Sequence, residues 1–214
     1  MARFKNRDEA GALLADALSG FRGTSSVVLA LPRGGVPVAY QVARELRLPL
    51  DVLVVRKLGA PGNEEFAFGA LSEAGSKHIN QETARALGLT EEQIEAIVSR
   101  ESHNLQNRVR ALRGLRPIEP LVNKTALIVD DGLATGATAI AAVLAARRLG
   151  AAKVVIAVPI CPIDVSSAKL GSDDLIVLSR PQAFRSVGEH YDNFEQVSDQ
   201  QVSEILEKSR SEAI

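Results

Sequence analysis

Two adjacent carboxylates, Asp130 and Asp131, close an apolar run and open the stretch ALIVDDGLATGAT, Ala126 to Thr138. The residues that follow, Ala134, Thr135, Gly136, Ala137 and Thr138, are small or hydroxylated. A helix beginning near Gly136 aims its free N–H groups and the positive end of its dipole back at this loop, and that arrangement suits a phosphate. The spacing is not that of a P-loop or of a dinucleotide fingerprint, since neither G-x-x-x-x-G-K-[ST] nor G-x-G-x-x-G is present. Carboxylates repel phosphate, so the two aspartates must address another part of the ligand. From a strand end they can accept hydrogen bonds from sugar hydroxyls or hold a divalent cation.

Three further stretches carry candidate chemistry. Arg33, Gly34 and Gly35 in LPRGGVP combine a guanidinium with open backbone, which suits a pyrophosphate. Arg56 and Lys57 leave an apolar run and precede the Gly/Pro/Asn-rich GAPGNEE, a loop-like composition that is mobile by residue type; Glu64 and Glu65 read as a solvated pair. Phe184, Tyr191 and Phe194 concentrate aromatics between Pro181 and Phe194, in a chain with six Phe and two Tyr. By themselves they read as a small hydrophobic cluster that anchors the tail. His103 reads as exposed, and His78 and His190 read as surface residues or ligand contacts.

These groups must be carried by elements. The apolar runs SSVVLALP, LDVLVVRKL, KTALIVDD, AKVVIAVPI and DLIVLSR alternate with helical patterns. Continuously apolar strands alternating with helices imply a parallel sheet covered on both faces, with ligands at the carboxyl ends of the strands. The loops Pro32–Gly35, Arg56–Glu65 and Asp130–Thr138 all fall at that end. A first helix is predicted from Ala10, Leu13, Leu14, Ala17 and Leu18, and a second has Pro37 in its first turn. FAFGALSEAGSKHIN alternates as a hairpin. A helical insertion spans about 80–118, with a capping box at Thr90 and Gln93. A tail, about 181–214, ends in a helix capped near Ser198.

Composition removes several function classes. Hydrophobic residues make up 46% and charged residues 24%, with 25 basic against 26 acidic side chains. That balance offers no bulk attraction to nucleic acid or to a membrane surface. Aromatics are 4% with no Trp, too few for stacking along a single strand. A lone cysteine, Cys161, makes no intrachain disulfide and no Cys-based zinc cluster. The first residues are amphipathic and carry acids, unlike a signal peptide, and no apolar run approaches the ~18 residues of a membrane span. A cytoplasmic protein is the expectation.

An apolar strand, two acids and a loop ending T-G-x-T resemble the PRPP motif of the type I phosphoribosyltransferases, PRPP being 5-phosphoribosyl-1-pyrophosphate. LPRGGVP resembles the pyrophosphate loop of the same family, and RKLGAPGNEE resembles a stretch shared by its bacterial members of unassigned acceptor. The resemblance covers most of residues 25–195. It implies the type I fold, a mostly parallel twisted sheet flanked by helices with a small hood, here as a single domain over 1–214. It implies that Ala134–Thr138 bind the 5-phosphate and that Asp130 and Asp131 hold the ribose, with indirect contact to Mg2+. It also implies that Arg33, Gly34 and Gly35 take the pyrophosphate, that Arg56 and Lys57 act from a closing catalytic loop, and that Phe184 and Tyr191 face the base. The implied partners are PRPP and a nucleobase-like acceptor, in a homodimer. One departure bears on the acceptor. Ala134 stands where the 6-oxopurine enzymes carry an aspartate as proposed general base, and the adenine and uracil enzymes also have alanine there. A non-catalytic PRPP- or nucleotide-binding regulator of the same fold, and a phosphosugar hydrolase using the acids and a metal, are the alternatives.

Overall fold

The computed structural model describes residues 3–114 and 116–212, without the side chains of residues 63–66. Its centre is a five-stranded parallel sheet built from β1 (Ser26–Ala30), β2 (Leu50–Val52), β6 (Thr125–Val129), β7 (Lys153–Ile160) and β8 (Asp174–Ser179), in the order β2-β1-β6-β7-β8. This is the doubly covered sheet expected from the apolar runs. Alternate residues of each central strand enter different cores. Val28, Leu127, Val129 and Val155 pack on one face with α1 (Arg7–Ala17), α2 (Gly35–Leu46) and α7 (Asp199–Glu212). Leu29, Ile128, Ile156 and Val158 pack on the other with the alanine-rich α5 (Ala137–Arg148). Burial on both faces is why these strands are apolar throughout.

The strand order reverses between β1 and β6, and open parallel sheets bind ligands at such a switch point. Leu29 lies opposite Ile128 and Ala30 opposite Val129, so the loops after β1 and β6 leave the sheet side by side. The Leu31 N–H donates to the Val129 carbonyl at 2.9 Å and ties them together.

A second sheet corrects one expectation. LDVLVVRKL is not one strand: β2 ends at Val52, and Val55–Ala60 forms β3, which pairs antiparallel with β4 (Asn63–Ser72) and through it with β5 (Lys77–Ile79). The break at Leu53–Val54 is buried, and its backbone donors are satisfied. Leu53 N–H donates to Ala30 at 2.9 Å, and Val54 N–H donates to the Glu73 carboxylate at 2.8 Å. The supposed open loop after Arg56 is therefore paired strand, with Pro61 and Gly62 at its turn. Glu64 and Glu65 sit in β4, and their side chains lie outside the described residues.

The helical run appears as α3 (Gln81–Ala86) and α4 (Glu91–Arg113), the latter opened by the Thr90–Gln93 capping box. Ile97, Leu105 and Leu112 bury one face of α4 in the core that also holds Leu58 and Phe68 of the hairpin. Among the described residues no helix is long and apolar enough to cross a membrane. The short α6 (Ser167–Leu170) follows β7, and α7 begins where Ser198 accepts from the Gln201 N–H at 3.1 Å.

Candidate functional site

A cleft of about 440 Å³ opens at the carboxyl ends of β1 and β6. Its floor comes from the two switch-point loops. Gly34 approaches Asp131 so closely that an added Cβ would collide with Asp131 Oδ2, which leaves room for no side chain there. Gly136 ends the second loop at φ +79, a left-handed conformation that favours glycine, and α5 starts at the next residue. The first-turn amides of α5 have no helical partners, and with the exposed Thr135 and half-buried Thr138 they face a cleft that reaches from Leu133 to Ala139. The loop is pinned from below, since Leu133 N–H donates to Ile160 at 2.9 Å.

The remaining walls carry charge. Arg33 enters from the β1 loop, and Arg56 and Lys57 from β3. Helix α4 adds Arg100 and Glu101. Glu101, only 6% exposed, accepts from Arg56 Nη2 at 2.8 Å and Nε at 3.2 Å, from Arg100 Nε at 3.0 Å and from Asn104 Nδ2 at 3.3 Å. Burial acts to raise its pKa, but these hydrogen bonds outweigh it and hold the carboxyl below the usual range.

The paired aspartates divide. Asp130 lines the cleft, with its Oδ1 accepting from the Asp131 N–H at 2.9 Å. Burial, and then the neighbouring Asp131 charge, push its pKa well up. Asp131 lines an adjoining depression with Arg7, Phe194 and Val197, which shares Arg33 and Gly34 with the cleft. Arg7 donates to Asp131 Oδ2 from Nε at 2.9 Å and from Nη2 at 2.8 Å, gives Nη1 to the Glu195 carbonyl at 2.7 Å and lies 3.9 Å over the Phe194 ring. Burial raises the Asp131 carboxyl against the opposing pull of Arg7. Asp131 is thus engaged by α1, while Asp130 lines the cleft.

The aromatic expectations change in the same way. Tyr191 is 2% exposed, donates its hydroxyl to the Asp131 carbonyl at 2.7 Å and packs between Phe4 and Phe194. Burial pushes its pKa up. Phe184 stacks on His190 at 5.8 Å, and His190 is buried, not on the surface. Neither Phe184 nor Tyr191 lines the cleft; from that segment Val187 does. The aromatics anchor the tail because burying them against Phe4 stabilises more than leaving them exposed. His103 is exposed as read, and His78 is half-buried in β5.

Arg7, Arg100, Glu101 and Val187 were not singled out from the sequence. Glu101 alone left a signal: it interrupts the apolar row Ile97, Leu105 at four-residue spacing, so a helix face bound for a core carries a carboxylate.

No group of three or more His, Cys, Asp or Glu that could hold a metal occurs among the described residues. Among those residues the cleft offers Asp130 alone as an unpaired carboxylate, which fits Mg2+ held by one carboxylate, water and substrate phosphates, not by a protein cage.

Comparison with known proteins bears on the family and the fold. The model of the phosphoribosyl transferase domain matches residues 5–192. A Mycobacterium tuberculosis (strain H37Rv) protein named a candidate phosphoribosyl transferase is 46% identical over 210 residues, covering 98% of this chain and 47% of that protein. The chain spans about half the length of the curated relatives it matches. Among solved structures, TT1426 from Thermus thermophilus is 40% identical with a TM-score of 0.81, over 96% of this chain and 98% of that one. A purine phosphoribosyltransferase from Pyrococcus horikoshii, 18% identical with a TM-score of 0.50 over 90% of this chain and 92% of its own, shares the fold. With the domain model spanning the switch-point loops, the cleft and most of the sheet, the chain belongs to the phosphoribosyl transferase family.

Proposed function

We propose that the chain transfers a 5-phosphoribosyl group from PRPP to a nitrogenous, nucleobase-like acceptor and releases pyrophosphate. The observation that carries this reading is the convergence, in one cleft, of a helix N-terminus with two threonines, the Asp130 carboxylate and a bank of cations. A phosphate, a ribose and a diphosphate are the three ligand parts those groups match.

In this reading the α5 amides, Thr135 and Thr138 hold the 5-phosphate. Asp130 accepts hydrogen bonds from ribose hydroxyls, and Asp131 keeps the loop in place through Arg7. The Gly34–Gly35 backbone and Arg33, Arg56 and Lys57 receive the diphosphate. The acceptor nitrogen attacks ribose C1 as the C1–oxygen bond breaks, and the electron pair leaves with pyrophosphate. The cations stabilise the charge that develops on the departing oxygen, so positioning and electrostatics supply the catalysis. Mg2+, when bound, neutralises diphosphate charge; Asp130 is the side chain that would contact its shell. Ala134 and Val187 line the cleft and in this reading bound the acceptor side, whereas Phe184 and Tyr191 do not line it. The described lining holds no histidine, and Glu101 is occupied by two arginines, so the acceptor's proton goes to another group or to water.

Isothermal calorimetry with PRPP and Mg2+, followed by pyrophosphate release across a panel of nucleobases, tests the proposal. Binding with turnover on at least one base is expected. Failure of the wild type to bind PRPP would sink it, and binding without pyrophosphate release across the panel would favour a ligand-sensing role.

A further inference from the structure

Helix α4 reaches the cleft with groups that no motif assigns. Arg56 from β3 and Arg100 from α4 come from separate elements, and Glu101 gathers them onto one carboxylate. A buried carboxylate is stable only when its oxygens are satisfied, and here four N–H donors reach it. The two guanidiniums are not consumed by it. Arg56 uses Nε and Nη2 and Arg100 uses Nε, while their side chains remain 45% and 57% exposed. Both line the cleft beside Lys57 and Arg33. A planar guanidinium fixed along one edge presents the other edge to an anion at little further cost in order, the requirement for bidentate contact with phosphate oxygens.

We propose that α4 completes the diphosphate half of the donor site: Arg100 binds the diphosphate directly, and Glu101 is a positioning residue that aims Arg100 and Arg56. The inference rests on the phosphoribosyl-transfer reading and deepens it. Its ligand class is an inorganic or esterified diphosphate. The side chains that face Glu101 are Arg56 from β3 and Arg100 and Asn104 from its own helix.

The test uses two probes that divide the donor, inorganic pyrophosphate with Mg2+ and ribose 5-phosphate, titrated calorimetrically into the wild type, Arg100→Gln, Arg100→Lys and Glu101→Gln. Pyrophosphate affinity is expected to fall about tenfold in Arg100→Gln and Glu101→Gln, the size of one lost charge-assisted contact. Arg100→Lys recovers part of that loss, and ribose 5-phosphate binds all four proteins alike. Thermal unfolding of each protein separates misfolding from lost aim, since a merely structural role weakens both probes together. Unchanged pyrophosphate binding in Arg100→Gln, or equal loss for both probes, overturns the proposal. A wild type that binds neither probe removes the transfer reading and this one with it; a wild type that binds both, with indifferent variants, removes only this one.

Discussion

Because Arg7 holds Asp131 through two nitrogens while Asp130 faces the cleft, neutralising the two neighbouring carboxyls has opposite consequences. Burial raises the Asp130 pKa above its ordinary 3.8, so the folded state disfavours the ionised form. Its contribution to stability therefore declines as pH rises through the interval above 3.8. Asp130→Asn keeps the acceptor for the Asp131 N–H and removes the buried charge. It should raise Tm at pH 7 by about 2–4 °C, with the gain narrowing as pH falls, while PRPP affinity drops sharply. Asp131→Ala strands Arg7, which is only 11% exposed, and should cost about 2–3 kcal/mol in chemical denaturation. If both variants shift stability the same way, the division of the pair is wrong. Gly34→Ala places a methyl against the same Arg7–Asp131 pair and should destabilise by about 2 kcal/mol, and on the proposed reading it should weaken pyrophosphate binding as well. At this scale the sequence revealed that Asp130 and Asp131 are special, because residue type and spacing say so. It did not reveal that they differ, because Arg7 lies 124 residues from its partner.

Besides the shared apolar core, a buried polar cluster joins the hairpin and α4 to the main sheet. Arg113, near the end of α4, has a side chain only 1% exposed. It donates from Nη1 to the Val52 carbonyl and from Nε to Arg116, each at 3.0 Å, and pairs with Glu73 at the end of β4. Burial lowers its pKa, and Asp51 opposes that. Arg113→Met should cost about 3–5 kcal/mol and speed amide exchange across β3 and β4, because Glu73 is left buried without its partner. In a Glu73→Leu background the same change should cost far less; additive effects would show that the pair does not couple the elements. Thr90→Ala removes a capping box and should cost about 1 kcal/mol, read by denaturant midpoint. The cap was legible in four residues of sequence. The break that turned LDVLVVRKL into two strands was not, because both pieces are equally apolar and the partner that satisfies Val54 is Glu73.

For the molecule as a whole, the cleft joins pieces of both sheets and of α4, so ligand and fold are linked. PRPP with Mg2+ at about 100 times its Kd should stabilise the protein by about 2.7 kcal/mol, observed as a rise in unfolding midpoint. The cations on the cleft wall are partly exposed, so pyrophosphate affinity should fall as salt is raised. The cores below should unfold at nearly unchanged denaturant concentration, since apolar packing is little screened. A Tm shift absent with PRPP yet present with unrelated anions would point away from a built donor site.

The class of the architecture was legible in local patterns: apolar runs alternating with helices dictate a doubly covered parallel sheet, with the loops after β1 and β6 at its carboxyl end. Which side chains share the cleft depends on the closed fold. It turned Asp131 and Tyr191 into supports and brought Arg100 and Glu101 to Arg56. Arg56 and Glu101 are 45 positions apart and Arg7 and Asp131 are 124 apart, and chain spacing carries no information about contacts that exist only once the cores on both faces of the sheet have closed.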